Sequence, residues 1–145
     1  LGDKVLLANN VLLGGHVNLE DYVVVGGGTA IHQYVRIGAY AFIGGLAGVE
    51  GDVAPFMRAG GNRAHIYGLN LIGLTRHGFD PRRIATLKTL YRHLFNDQSN
   101  LVFRERLVEA RSLFGEDADA KKLLDFLDES KVRPLCAPRR QRSVA

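Results

Sequence analysis

Two histidines are the residues in this sequence whose type and spacing could do chemistry together. His16 and His32 fall in corresponding stretches of a regular pattern, and Gln33 follows the second. A neutral imidazole can accept a proton near neutral pH, or its ring nitrogens can hold a hydroxyl or a phosphate. The bland alternative is two solvated surface side chains, and the spacing alone does not separate these possibilities.

A metal site would need a third ligand beside this pair. His65 lies beyond the regular pattern and His93 lies within a helical one, so the sequence supplies no clean triad. Only a histidine from a neighbouring subunit could complete one. We therefore predict neither a metal nor any other cofactor.

The element that must position these side chains is a six-residue repeat over residues 1–54. Every first position is aliphatic: Leu1, Leu7, Leu13, Leu19, Val25, Ile31, Ile37, Ile43 and Val49. Every fifth position is small or β-branched: Val5, Val11, Val17, Val23, Thr29, Val35, Ala41, Ala47 and Val53. A period of six is typical of a hexapeptide β-helix.

The repeat predicts which side chains are buried. First and fifth positions of successive hexads are two residues apart, so on a strand they point to the same side, the interior. Three hexads make one triangular coil, and residues 1–54 make three coils that bury their faces against one another. Glycines such as Gly14, Gly15 and Gly44 would supply the dihedral angles of the corners. A sandwich of short strands would need hairpin turns, for which the spacing gives no reason.

On this coil, three hexads separate His16 from His32, which places them on the same face of adjacent turns. Neighbouring strands lie about 4.7–4.9 Å apart, so the two imidazoles are expected close together outside the prism.

Beyond the repeat the pattern becomes helical. We predict a β-helix over 1–68, a connecting loop over 69–79, a helical domain over 80–130 and a basic, mobile tail over 131–145. Asp80 and Pro81 are a cap and a first helical residue. A second helix starts near Leu101 and stops at Gly115, and a third starts near Asp117.

The charge is uneven. The formal net charge is +4, but residues 131–145 carry five basic residues and no acid, which leaves fourteen basic and fifteen acidic residues elsewhere. This argues against a nucleic-acid-binding face outside the tail.

One cysteine, Cys136, excludes an internal disulfide and suits a reducing compartment. With no signal peptide and no long apolar run, we expect a cytoplasmic protein without a membrane span.

Several motifs together resemble one family. They are Leu7-Ala8-Asn9-Asn10, Gly14-Gly15-His16-Val17, Ala30-Ile31-His32-Gln33-Tyr34, Arg36-Ile37-Gly38-Ala39, Gly61-Asn62-Arg63-Ala64, Tyr67-Gly68-Leu69-Asn70, Gly73-Leu74, Arg76 and Gly78-Phe79. They resemble the acyl-[acyl-carrier-protein]–UDP-N-acetylglucosamine O-acyltransferases of lipid A synthesis, in their C-terminal half. Hexads alone would indicate only a broad acyltransferase superfamily, and the later motifs are more specific.

The resemblance implies a left-handed parallel β-helix with a small helical C-terminal domain, and a homotrimer with active sites between neighbouring prisms. It implies transfer of a 3-hydroxyacyl group from acyl carrier protein to the 3-hydroxyl of UDP-N-acetylglucosamine. The general-base histidine of the family would lie one coil before His16. Because the chain starts in phase with the repeat, we expect missing coils, and that base, before Leu1.

The resemblance also implies roles for individual residues. Gly15 would donate its N–H to the oxyanion. His16, His32 and Gln33 would hold the sugar or the hydroxyacyl group, and Gly45 would mark the end of the acyl groove. Asn70 and Arg76 would bind the uridine diphosphate portion.

Two departures and two alternatives accompany this reading. Ile72 stands where the family usually has an acidic nucleotide contact, and His77 stands where a second arginine is common. Both predict a weaker or rearranged nucleotide contact. The alternatives are a non-catalytic trimeric scaffold that binds acyl carrier protein, and the related N-acyltransferase.

Overall fold

The computed structural model describes residues 1–96, 98–129 and 132–139. The chain begins with eight two-residue strands: β1 Leu6–Leu7, β2 Leu12–Leu13, β3 Asn18–Leu19, β4 Val24–Val25, β5 Ala30–Ile31, β6 Arg36–Ile37, β7 Phe42–Ile43 and β8 Gly48–Val49. Strands β1 to β5 each pair in parallel with the strand three places further on, so Leu6 lies opposite Val24, and Val24 opposite Phe42. This offset confirms the predicted solenoid with three hexads in each coil. Its left hand stays a prediction of the resemblance.

The coils form three walls joined by three edges. Wall A contains β1, β4 and β7, wall B contains β2, β5 and β8, and wall C contains β3 and β6. The turns define a glycine edge between A and B (8–11, 26–29, 44–47), a histidine edge between B and C (14–17, 32–35) and a tyrosine edge between C and A (20–23, 38–41).

The interior is filled as the repeat predicts. Ile31, Ile37 and Val49 are at most 2% exposed, and the fifth-position residues from Val23 onward are also buried. In the first coil Leu1 is 73% and Leu13 is 37% exposed, because among the described residues only the second coil packs against that coil. Thr29 is the one polar residue among the first and fifth positions of residues 1–54. Its hydroxyl donates to the Gly44 carbonyl at 2.8 Å and accepts from the Ala47 N–H.

The corners turn differently from the prediction. The left-handed backbone conformation occurs at the fourth hexad position, with φ between 54° and 71° at Lys4, Asn10, His16, Tyr22, Gly28, Tyr34, Tyr40 and Leu46. Gly28 is the only glycine among them, so seven side-chain-bearing residues adopt this conformation, at roughly 1–2 kcal/mol each. Gly14, Gly15 and Gly44 have no positive φ, so our explanation of them was wrong.

Close approach explains Gly14 instead. A Cβ atom on Gly14 would lie 2.4 Å from the backbone nitrogen of Gln33 in the next coil. No side chain fits at that distance, because the coils are in van der Waals contact there.

The repeat ends where the register shortens. Strand β9, Met57–Gly60, continues wall A in parallel, with Arg58 opposite Phe42, an offset of sixteen instead of eighteen residues. Strand β10, His65–Leu69, then pairs antiparallel with β9. The extended path predicted after Ala54 is therefore a further layer of wall A.

Four helices follow: α1 Leu71–Arg76, α2 Pro81–Leu94, α3 Phe103–Phe114 and α4 Ala118–Asp128. The Asp80 side chain accepts the Arg83 N–H at 2.8 Å, with Pro81 first in α2, as predicted. Helix α1 lies inside the predicted connecting loop, where Asn70 caps it. No helix in the described parts of the chain is long and apolar enough to cross a membrane.

One ion network connects the helical domain to the solenoid, in addition to the buried hydrophobic residues that the two parts share. Arg36 on wall C contacts the fully buried carboxylate of Asp52 at 3.1 Å and Glu129, just after α4, at 2.9 Å. Its guanidinium also lies 4.1 Å from the ring centroid of Phe126.

Part of the predicted mobile tail is docked. Asp52 exchanges backbone hydrogen bonds with Pro134 and Cys136, each at 2.8 Å, and the Ile66 N–H donates to the Ala137 carbonyl. We call residues 132–139 the strap. Burial in it raises the pKa of the Cys136 thiol to about 11. The expected mobility was wrong for the strap because extended backbone there finds partners on the solenoid, and residues 140–145 lie outside the described part.

Candidate functional site

The first predicted histidine sits exposed on the histidine edge. The fourth-position turn brings the His16 ring over Tyr34 of the next coil, with ring centroids 4.8 Å apart and an interplanar angle of 5°. One face of the imidazole is therefore covered by the tyrosine, and the other ring face and the edge remain available. Such stacking holds the ring in one orientation, which is useful for a group that must hold a substrate.

The second histidine has a different partner. His32 lies at the second position of its hexad, and its Nε2 is 3.8 Å from a carboxylate oxygen of Glu50, one coil further. Glu50 in turn lies 3.4 Å from Arg63. The structure therefore places both histidines on the histidine edge, as predicted, but their ring contacts are with Tyr34 and Glu50 rather than with each other. Residues in register are eighteen apart, and these two are sixteen apart.

Gln33 and Gly15 complete this edge. The Gln33 side chain is exposed, and its backbone carbonyl accepts a hydrogen bond from Arg133 of the strap at 3.0 Å. Gly15 is exposed, and a Cβ atom there would meet nothing within 4 Å. Its carbonyl accepts from the Tyr34 N–H, whereas its own N–H has no hydrogen-bond partner among the described residues. An amide donor beside open space can stabilise a developing oxyanion.

Gly45 lies on another edge. It is exposed on the glycine edge, where a Cβ atom would lie 3.2 Å from the Gly27 carbonyl oxygen of the coil below. The neighbouring Leu46 is 80% exposed. Small residues stacked beside an exposed leucine leave an open, partly apolar strip along this edge.

Asn70 and Arg76 line one cavity against the outside of wall A. The cavity has a volume of about 530 Å³, and its walls include Tyr22, Phe42 and Tyr67. Asn70 already makes two contacts: its Oδ1 accepts the Gly73 N–H at 3.2 Å, and its Nδ2 donates to the Tyr40 carbonyl at 3.0 Å. One N–H and one lone pair of the amide remain for a ligand. The Arg76 guanidinium has no hydrogen bond or ion pair within the described residues.

The two departures also lie at this cavity. Ile72 is 76% exposed and lines it. His77 lines it too, and its ring stands edge-on to Tyr22 and Tyr40, with centroids 4.9 and 5.6 Å away. Burial, and next the nearby Tyr22, raise the pKa of the Tyr40 phenol, so Tyr40 stays neutral.

Sequence reasoning missed three contributors: Glu50, Arg133 and Arg58. Glu50 could have been found by adding eighteen to the number of His32. Arg133 comes from the strap, and no local pattern announces its contact with Gln33. Arg58 is exposed on β9 and lines the same cavity as Arg76. A charged residue on the outer side of a strand was its only signal.

The histidines considered as metal ligands are not grouped with further possible ligands in the described part of the chain. In residues 1–96, 98–129 and 132–139, no three His, Cys, Asp or Glu side chains are grouped as a metal site would require. His65 contacts the Arg63 carbonyl, and His93 lies 3.6 Å from Glu109 on α3.

The predicted site residues thus occupy three separate parts of one prism. Gly15, His16, His32 and Gln33 share the histidine edge, Gly45 lies on the glycine edge, and Asn70 and Arg76 lie at the wall A cavity. A single copy does not bring these groups around one small molecule.

Comparisons with known proteins agree with one another. The sequence model of the family described as UDP-N-acetylglucosamine O-acyltransferase, domain 2, matches residues 52–136. A Sinorhizobium fredii acyl-[acyl-carrier-protein]–UDP-N-acetylglucosamine O-acyltransferase is 38% identical over 140 residues, which cover 97% of this chain and 51% of that protein. A Burkholderia lata protein of the same name is 41% identical over 135 residues, covering 90% and 51%.

Solved structures give the same picture. The chain superposes on the Arabidopsis UDP-N-acetylglucosamine acyltransferase with a TM-score of 0.86 at 38% identity, covering 93% of this chain and 49% of that one. The Francisella novicida UDP-N-acetylglucosamine acyltransferase gives a TM-score of 0.86 at 28% identity, covering 94% and 49%. The chain therefore spans about half the length of the relatives it matches.

Proposed function

Because this chain belongs to the UDP-N-acetylglucosamine O-acyltransferase family, we propose that it forms part of an enzyme of lipid A synthesis. The enzyme transfers a 3-hydroxyacyl group from acyl carrier protein to the 3-hydroxyl of UDP-N-acetylglucosamine. The named relatives and the solved structures support this reaction. No observation favours the scaffold or the N-acyltransferase over it.

The separation of the site residues is the observation that carries the proposal. The histidine edge holds exposed imidazoles and the Gly15 N–H, and the wall A cavity holds the Arg76 guanidinium, neither of these two groups having a partner among the described residues. These suit an acyl-transfer centre and a nucleotide, and they lie on different sides of the prism. One substrate can reach both only if the histidine edge of one copy faces the cavity of another. A head-to-tail contact of this kind closes into a ring, and we propose the homotrimer that the resemblance implies.

The reaction needs specific help at two atoms. The sugar 3-hydroxyl oxygen attacks the thioester carbonyl carbon and loses its proton to a base. The C–S bond then breaks, and the leaving carrier thiolate takes up that proton to become the thiol. As the carbonyl oxygen becomes negative, the Gly15 N–H donates to it, an interaction worth about 10²–10³ in rate for one such donor in other enzymes. The resemblance gives the base role to a residue outside this chain.

The remaining groups position the substrates. His16, held flat against Tyr34, and His32, facing Glu50, bind hydroxyls of the sugar or the hydroxyacyl group, with Gln33 beside them. The remaining N–H and lone pair of the Asn70 amide form hydrogen bonds with the nucleotide, and Arg76 binds phosphate by charge-assisted hydrogen bonds. The acyl chain runs along the glycine edge, where Gly45 leaves room for it. We also propose that the enzyme is cytoplasmic; the carrier partner and the single cysteine, Cys136, support this location.

An acyl-transfer assay tests this proposal. Intact protein carrying this chain is mixed with radiolabelled 3-hydroxyacyl carrier protein and UDP-N-acetylglucosamine, and the labelled sugar is separated. We expect label on UDP-N-acetylglucosamine, and a rise of about tenfold or more in its KM for Arg76→Gln. Arg104→Gln, which removes another exposed arginine charge, from α3, is the matched control and should behave as the wild type. A carrier-binding protein that labels no sugar would be the scaffold, and label only on an amino-sugar competitor would indicate the N-acyltransferase.

A further inference from the structure

The wall A cavity contains a second cation for which the resemblance gives no role. Arg58 is the outward-facing residue of β9, exposed between the buried Met57 and Ala59. Its strand register places it opposite Phe42, which in turn lies opposite Val24. Arg58 therefore stands at the end of an apolar row on the outside of wall A, and all three residues line the cavity.

Neither arginine of this cavity is neutralised. Arg58 and Arg76 both lack an ion pair or a side-chain hydrogen bond in the described parts of the chain. Most other arginines in residues 1–96, 98–129 and 132–139 do have such partners, for example Arg36, Arg83 and Arg111. Of the thirteen lining residues, none is acidic. Two uncompensated guanidinium groups in one concave site attract a ligand with more than one negative charge.

The departure at Ile72 leaves this cavity without a carboxylate at that position. Ile72 lines the cavity at the position where the family usually has an acidic nucleotide contact. A carboxylate there would offer an ion-pair partner to a neighbouring arginine, and isoleucine offers none. Compared with a cavity that carries a carboxylate at this position, this cavity offers a ligand fewer hydrogen-bond acceptors and relatively more cationic groups.

We propose that Arg58 is a specificity-determining residue that, together with Arg76, binds the diphosphate of the sugar nucleotide. The apolar row of Val24 and Phe42 lies beside the less charged part of the ligand, and the two arginines divide the phosphate charge between them. The arrangement makes recognition depend on the number of phosphates more than on contacts to the base. This inference rests on the proposed function, because it concerns how that substrate is held.

Calorimetric titration with a graded set of ligands tests this role. Intact wild-type protein, Arg58→Gln, Arg58→Lys and the control Arg104→Gln are each titrated with UDP-N-acetylglucosamine, UDP, UMP and uridine. We expect Arg58→Gln to weaken binding of UDP and of the sugar nucleotide by about tenfold or more, which is about 1.4 kcal/mol, and to leave uridine unchanged. Arg58→Lys keeps the charge but not the planar fork, so it should restore part of the affinity. Because Arg58 is exposed, the unfolding temperature should not move.

The kinetic readout separates binding from chemistry. Arg58→Gln should raise KM for UDP-N-acetylglucosamine with little change in kcat, because the diphosphate is held alike in ground state and transition state. Adding salt should weaken UDP binding less in Arg58→Gln than in the wild type, because fewer charges are then paired.

The outcomes distinguish this inference from the proposed function. If the wild type binds the sugar nucleotide and Arg58→Gln binds it equally well, Arg58 has no such role and the proposed function stands. If Arg58→Gln weakens uridine as much as UDP, the phosphate assignment is overturned. If the wild type binds none of the four ligands, both the inference and the proposed function fail.

Discussion

Replacing Arg36 by methionine should weaken the attachment of the helical domain to the solenoid and lower the stability of the protein. Asp52 is completely buried, and its carboxylate accepts hydrogen bonds from the Arg36 backbone N–H at 2.8 Å and from the Arg36 Nε at 3.1 Å. The same guanidinium contacts Glu129 at 2.9 Å and donates to the Phe126 carbonyl at 3.2 Å. Arg36→Met keeps the aliphatic stem and the backbone donor, and removes every contact of the guanidinium.

The magnitude follows from burial. Breaking a buried ion pair leaves an uncompensated charge and costs about 3–5 kcal/mol. For a protein of this size or somewhat larger, each kcal/mol shifts the unfolding temperature by about 2–4 °C, so we expect a fall of about 6–20 °C. Removing the buried charge as well, in Arg36→Met with Asp52→Asn, should recover part of the loss.

Arg111 provides the matched control. It also holds two carboxylates, those of Asp125 and Asp128, but all three side chains are 39–51% exposed. Exposed pairs contribute about 0–1 kcal/mol, so Arg111→Met should lower the unfolding temperature by at most a few degrees. Thermal unfolding followed by circular dichroism compares the variants of the intact protein. Equal shifts for Arg36→Met and Arg111→Met, or no recovery in the double variant, would refute the argument from burial.

Three further predictions concern backbone contact, thiol chemistry and the acyl groove. Gly14→Ala should destabilise the protein by about 1–3 kcal/mol, because the new Cβ atom would lie 2.4 Å from the Gln33 backbone nitrogen. Gly15→Ala, where a Cβ atom meets nothing within 4 Å, should change stability by less than about 1 kcal/mol. Urea denaturation compares the two variants, and equal losses of stability would contradict the close contact at Gly14. Cys136, with a pKa of about 11, should carry about one thiolate per thousand molecules at pH 8 and react slowly with iodoacetamide until the protein unfolds. Because the folded pKa is the higher one, stability should also fall as the pH rises from about 9 to 11, and a flat profile would argue against that contribution. Gly45→Leu should shift transfer toward shorter acyl chains in a chain-length competition, and an unchanged preference would place the acyl groove elsewhere.

Much of the fold could be predicted because its cause is local. A strand alternates sides at every residue, so the aliphatic first and fifth positions had to face the same way whatever the rest of the chain did. The same logic located the helix starts at Asp80 and Asp117, where a short acidic side chain can satisfy free N–H groups. It also placed both histidines on one edge.

The prediction was wrong where the cause was contact between coils. His16 meets Tyr34 because residues in register are eighteen apart, and sequence spacing alone suggested His32. The corner glycines suggested that special dihedral angles were needed. At Gly14, however, glycine is required because the backbone of the next coil lies too close for a side chain. The strap looked like a free basic tail, because its partners on the solenoid lie far away in sequence.

The sequence by itself determined a three-sided solenoid and which residues face out of it, since a six-residue period fixes orientation one hexad at a time. The tertiary structure alone decided which outward residues meet. Arg58 and Arg76 line one cavity because the register shortens at β9 and α1 folds back beside it. Arg36 reaches Glu129 across 93 residues of chain. Such meetings depend on distances between segments that no local pattern encodes.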